Sequence, residues 1–110
     1  MRIYELTIIL NPSLDEQAVK ANLSAIETHI KGLGGNILEI QHLGMKGFSF
    51  MVKGCRQGNY YTFYYEAGPE LCRQVETSLK LNESILRFLT VVLEPKDYKP
   101  QPKEETQASS

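Results

Sequence analysis

The chain predicts an α+β fold, a βαββαβ sandwich whose four-stranded antiparallel sheet carries two helices on one face. Three observations lead there. Strand-like apolar runs occupy Arg2–Leu10, Asn36–Val52, Tyr60–Glu66 and Ile85–Leu93. Apolar residues recur at helical spacing over Leu14–Leu33 and Pro69–Lys80. The order is strand, helix, strand, strand, helix, strand, with almost nothing left over. Two right-handed strand–helix–strand crossovers put both helices on the same side of the sheet. The other side is expected to have nothing of the chain's own to cover it.

In the first strand, Tyr4, Leu6, Ile8 and Leu10 share one parity, and Ile3, Glu5, Thr7 and Ile9 the other. Asn11-Pro12 ends it, because proline cannot continue a paired strand. Ser13 and Glu16 have the spacing of a capping box and open the first helix. Val19, Leu23, Ile26, Ile30 and Leu33 form its core-facing stripe, and Gly34-Gly35 stops it. The second strand is long, and Gly44 and Gly47 bend it. Gly54–Asn59 is read as the turn into Tyr60–Tyr65, making a hairpin. Gly68-Pro69 starts the second helix, with proline at a tolerated first-turn position and Leu71, Val75 and Leu79 as its stripe. Ile85–Leu93 is apolar at both parities apart from Arg87 and Thr90, the pattern of a central strand covered on two sides.

The 110 residues suit one domain, residues 1–94. Beyond it, Pro95, Pro100 and Pro102 stand among Lys, Glu, Gln and Ser with no apolar period, so 95–110 reads as a disordered tail. Hydrophobic residues make up 42% and charged residues 23%, an ordinary soluble composition. Lys and Arg total 12 against 13 Asp and Glu, a net charge of −1 that argues against a strongly basic nucleic-acid binder but says nothing about local patches. Cys55 and Cys72 fit no zinc spacing, and their separation leaves a disulfide open. Free thiols in a reducing compartment are the expected state. No run approaches the about 20 apolar residues of a membrane span, and the chain enters a strand directly after Met1, with no visible targeting segment.

Glu66 marks the solvent parity of the third strand, which assigns Tyr60, Thr62 and Tyr64 to the outer face and Tyr61, Phe63 and Tyr65 to the helices. With Ile3 and Ile9, the outer face holds tyrosines and isoleucines among threonines and glutamates. A sheet face tolerates scattered tyrosines, but tyrosine is also common at interfaces. Ile3, Tyr60, Thr62 and Tyr64 are therefore the candidate contacts for a protein partner.

Catalytic constellations are missing. His29 and His42 have no neighbour at nucleophile or metal spacing and read as solvent-facing. Gly32–Gly35 ends a helix, the wrong polarity for cradling an anion. No cofactor, metal or small-molecule substrate is expected, and the chain is not read as an enzyme. A small dimeric enzyme enclosing a cavity is a distant alternative. Another is a stand-alone binder of single-stranded RNA, because Lys46-Gly47-Phe48-Ser49-Phe50-Met51-Val52 resembles the RNA-recognition-motif signature. In that family, however, the signature lies on the strand just before the second helix, and here Tyr60–Glu66 intervenes. Lys53 and Arg56 flank the hairpin turn, Lys46 lies near the bend, and Arg2, Lys80 and Arg87 lie near element ends, where long cations reach phosphates.

An ordered set of residues is more specific. Met1-Arg2-Ile3-Tyr4-Glu5-Leu6, Leu10-Asn11-Pro12, Gly34-Gly35-Asn36, Leu43-Gly44, Gly58 before an aromatic strand, and Leu81-Asn82-Glu83-Ser84-Ile85-Leu86-Arg87-Phe88-Leu89-Thr90-Val91 occur in one order. Together they resemble the bacterial small-ribosomal-subunit protein six family over residues 1–94. The resemblance implies a ferredoxin-like fold, no catalysis, and a place in the ribosome, with the cytoplasm as the expected compartment and an organelle also open. It further implies binding to the central domain of small-subunit ribosomal RNA together with small-subunit protein eighteen. Carried over by position, Arg2, Lys46, Lys53 and Arg87 match basic residues of the family and join Arg56 and Lys80 as RNA-contact candidates. The chain departs from the pattern at Lys46–Met51, where members usually have two basic residues, leucine, alanine, tyrosine and proline.

Overall fold

The computed structural model describes residues 1–98, and the rest of the predicted tail lies outside the described residues. The elements run β1 Arg2–Leu10, α1 Glu16–Gly32, β2 Asn36–Val52, β3 Cys55–Ala67, α2 Pro69–Lys80 and β4 Ile85–Leu93, followed by a short 3₁₀ turn at Pro95–Asp97. All four strands form one antiparallel sheet in the order β2-β3-β1-β4. This is the ferredoxin-like arrangement.

The predicted parity holds. Tyr4, Leu6 and Ile8 of β1 face Tyr65, Phe63 and Tyr61 of β3, residue opposite residue. These side chains form one core with Val19, Ile26 and Ile30 of α1 and Cys72, Val75 and Leu79 of α2. Both helices thus lie on one face. Leu6, Ile8, Leu10 and Phe63 are wholly excluded from water, each contributing about 1.5–3 kcal/mol by burial. Cys55 and Cys72 are free thiols, and burial pushes the Cys72 thiol above its ordinary value.

Several local expectations are corrected. The cap of α1 is Asp15, whose carboxylate accepts from the Ala18 backbone at 2.8 Å. Ser13 instead turns back, donating its N–H and hydroxyl to the Asn11 side chain. Leu33 leaves the stripe because it is already the C-cap, and Gly34 follows in the left-handed region with φ +99°. The hairpin turns on the two residues that follow β2: Lys53 and Gly54 both have positive φ (49° and 79°), and Val52 pairs with Cys55. Two consecutive positive φ values fit the right-handed twist of the flanking strands, so Gln57–Asn59, expected in the turn, continue the ladder. Gly44 and Gly47 do bracket irregularities in β2.

β4 is also corrected, from a central strand to an edge. The two crossovers fill the centre of the sheet with β1 and β3, so the last strand can add only beside β1. Its apolar residues at both parities are consequently exposed, Leu89 at 65% and Val92 at 54%. His42, expected in solvent, is half-buried, stacked on Tyr61 at 4.4 Å and hydrogen-bonded to Asn59. His29 is half-buried as well.

Candidate functional site

Because β3 turns back at Lys53-Gly54, the hairpin tip reaches the end of the sheet where α2 finishes and β4 begins. Lys53 from the tip, Lys80 from the last turn of α2 and Arg87 from β4 line one depression, together with Leu79 and Phe88. Arg87 pairs with Ile9 across the sheet and also lines a second depression with Gly47, Phe48, Phe50 and Tyr60. Lys46 places its ammonium 5.4 Å from the centre of the Tyr60 ring. Arg56 is on β3 near the same tip, with its carbonyl beside Gly47.

Among the described residues no carboxylate lines either depression. Among the described residues, the ion pairs belong to other cations: Lys20 with Glu16, Lys31 with Glu27 and Arg73 with Glu70, all at helical spacing on exposed faces. None of Lys46, Lys53, Arg56, Lys80 and Arg87 has a carboxylate partner there. Lys80 sits on the negative end of the α2 dipole, which favours a cation. An end of a fold that gathers like charges without neutralising them suits a polyanion.

Arg2 does not join this cluster. It starts β1, opposite Ala67, seven residues before the Ile9 position that meets Arg87. At the usual strand rise the two arginines are about 23 Å apart. The sequence placed six cations on elements; the register brings five to one end and leaves one at the other.

The outer face corrects the expectation that nothing of the chain covers it. Chain continuing past β4 returns over this face, and Tyr98 packs on Tyr64 with ring centres 5.1 Å apart. Its hydroxyl donates to Glu39 on β2 at 2.9 Å, while Tyr64 donates to Glu5 at 2.9 Å. Residues 95–98, where the predicted tail starts, thus carry a short 3₁₀ turn and this contact, because a tyrosine with both an apolar ring and a polar tip finds partners for each. At the other end of the face, Phe48 from the curled hairpin lies 6.3 Å from Tyr60. Gly58 makes room for it: a Cβ there would stand 2.9 Å from the Phe48 ring and collide with Ile9 Cγ2.

Of the four partner candidates, Ile3 and Thr62 are only 7% and 3% exposed and form the floor of the face. Thr62 and Thr7 share a 3.0 Å hydroxyl hydrogen bond. Tyr60 and Tyr64 are half-buried beneath Phe48 and Tyr98 respectively. Burial, then the hydrogen bond to its carboxylate, pushes the phenol of Tyr64, and likewise of Tyr98, up to about 12. The carboxylates of Glu5, Glu39 and Glu66 are all engaged on this face, Glu66 by Asn36 and Glu39 also by Gln41. They make that half of the face a poor platform for a single RNA strand. Apolar surface left open on this side includes Phe50 of β2, 68% exposed, and β4, where Leu89 and Val91 are 65% and 39% exposed. The sequence signal for Leu89 and Val91 was their parity, shared with Arg87, which the central-strand reading obscured. Among the described residues no helix is long and apolar enough to cross a membrane.

Comparison with known proteins bears directly on this geometry. The family model described as Ribosomal protein S6 matches residues 3–92. Small ribosomal subunit protein bS6 of Campylobacter curvus is 34% identical over 96 residues, covering 87% of this chain and 68% of that protein. The bS6 of Clostridium novyi is 33% identical over 91 residues, covering 83% and 96%. Among solved structures, the crystal structure of 30S ribosomal protein S6 from Thermotoga maritima superimposes with a TM-score of 0.81 at 22% identity, covering 99% of this chain and 98% of that one. The C-terminal domain of the MgtC protein from Mycobacterium tuberculosis shares the fold at a TM-score of 0.60 and 11% identity, covering 90% and 95%.

Proposed function

This chain belongs to the Ribosomal protein S6 family, and from that premise we propose that it is a structural, non-catalytic constituent of the small ribosomal subunit. It binds the central domain of small-subunit ribosomal RNA together with small-subunit protein eighteen. The observation that carries the reading is the gathering of Lys53, Lys80 and Arg87 around one depression that no carboxylate lines among the described residues. Long cations without internal partners can neutralise phosphates with little competition from the protein's own charges.

The opposite half of the outer face, with Glu5, Glu39 and Glu66, complements a basic protein better than a nucleic acid. Leu89 and Val91 beside it offer apolar area for burial in such a contact. With a net charge of −1, the isolated chain gains little from long-range attraction to RNA, so the partner supplies much of the basic surface.

A gel-shift titration of a central-domain RNA fragment tests this, with and without protein eighteen. Weak binding by the chain alone and tight binding with its partner is the expected result. Tight binding that ignores the partner overturns the cooperative version, and no binding under either condition overturns the RNA reading.

A further inference from the structure

We propose that Phe48, Phe50 and Tyr60 form a stacking site for one unpaired RNA base, with Arg87 and Lys46 placed to hold its flanking phosphates. This deepens the RNA-binding reading above and rests on it. The site is the depression of about 280 Å³ at the root of the curled hairpin, floored by Ile9 and Val52. Phe48 and Phe50 are two positions apart on β2 and both line it, with Tyr60 of β3 beside them.

Phe50 is the telling residue. The residue is 68% exposed, although Val52, two positions further on, is 7% exposed in the same depression. A phenyl ring held in water beside a sheltered apolar floor has one face free to stack. A nucleobase offers a π-face of any sequence, and aromatic side chains are the usual platform for bases outside a helix.

Charge selects the occupant. Arg87 lines the same depression and Lys46 stands over the Tyr60 ring, while among the described residues no carboxylate lines it. Aromatic rings rimmed by cations without internal ion pairs match a nucleotide, which presents a base and phosphates together. A basic protein segment would meet repulsion there. Gly58 is part of the site, because a side chain at that position would collide with both Phe48 and Ile9.

The test uses the complex with protein eighteen and a central-domain RNA in which each unpaired purine is replaced, one at a time, by a fluorescent purine analogue. One position is expected to change fluorescence on binding the native chain. Phe50→Ala should abolish that change and weaken binding about tenfold with the salt dependence unchanged, whereas Phe50→Tyr should preserve both. Arg87→Ala should weaken binding and flatten the salt dependence. Phe50 is exposed, so its replacement leaves the core intact, and an unchanged melting temperature checks this. If Phe50→Ala binds and reports like the native chain while Arg87→Ala is impaired, the stacking site is wrong and the RNA reading stands. If neither variant differs from the native chain, both fall. If Phe50→Ala instead weakens assembly with protein eighteen in the absence of RNA, the patch is a protein contact and the proposal is overturned.

Discussion

The Tyr98 hydroxyl donates a 2.9 Å hydrogen bond to the Glu39 carboxylate, tying the chain that leaves one edge strand to the opposite edge strand. Between them the Tyr98 ring rests on Tyr64 of β3. The sheet is thus braced across its outer face by a segment whose composition suggests only a loose end.

Removing the brace should be measurable. Tyr98→Phe keeps the ring and loses the hydrogen bond, and is expected to cost about 1 kcal/mol in chemical denaturation. Tyr98→Ala also uncovers Tyr64 and should cost more than Tyr98→Phe.

Alkaline pH should act through the same pair. Tyr64 and Tyr98 titrate at about 12 in the folded chain, above the ordinary value of 10.0. The folded state therefore holds protons that the unfolded state releases between these values. Stability is full below pH 10 and declines as pH rises toward 12. Denaturation midpoints across that window should fall, and the Tyr98→Phe chain should fall less steeply.

Gly58→Ala tests how closely the hairpin is folded down. The added methyl would collide with Ile9 Cγ2 and lie 2.9 Å from Phe48 Cζ. A loss of about 1–3 kcal/mol is expected from the forced displacement, seen as a lower melting temperature.

Lys53 separates stability from binding. It holds φ at 49°, a conformation that asparagine tolerates better than lysine. Lys53→Asn is expected to raise stability by about 0.5 kcal/mol while lowering RNA affinity of the partner complex. Both effects come from one substitution and are read by denaturation and gel shift.

The cationic end and Arg2 should contribute independently. Arg87→Ala and Arg2→Ala should each reduce the salt slope by about one unit at most. Their separation along β1 predicts additive losses in the double variant. Lys20→Ala, whose ammonium is paired with Glu16, should leave both affinity and slope unchanged in the same titrations.

What the sequence by itself determined was the local order. Alternation of Tyr4, Leu6 and Ile8 assigned the inner face because strand side chains alternate with a period of two. The spacing of Val19, Ile26 and Ile30 assigned the α1 stripe in the same way. The outward parity of Tyr60, Thr62 and Tyr64 was equally legible. Only the tertiary structure decided that β4 is an edge, since its apolar pattern fits burial and exposure alike until the strand order is known. The meeting of Lys53, Lys80 and Arg87 likewise depends on register and on a turn two residues long. Tyr98 reaching Glu39 depends on where the chain exits the sheet. Periodicity is a property of neighbours along the chain, whereas coverage of a face and convergence of charge are properties of distance in space.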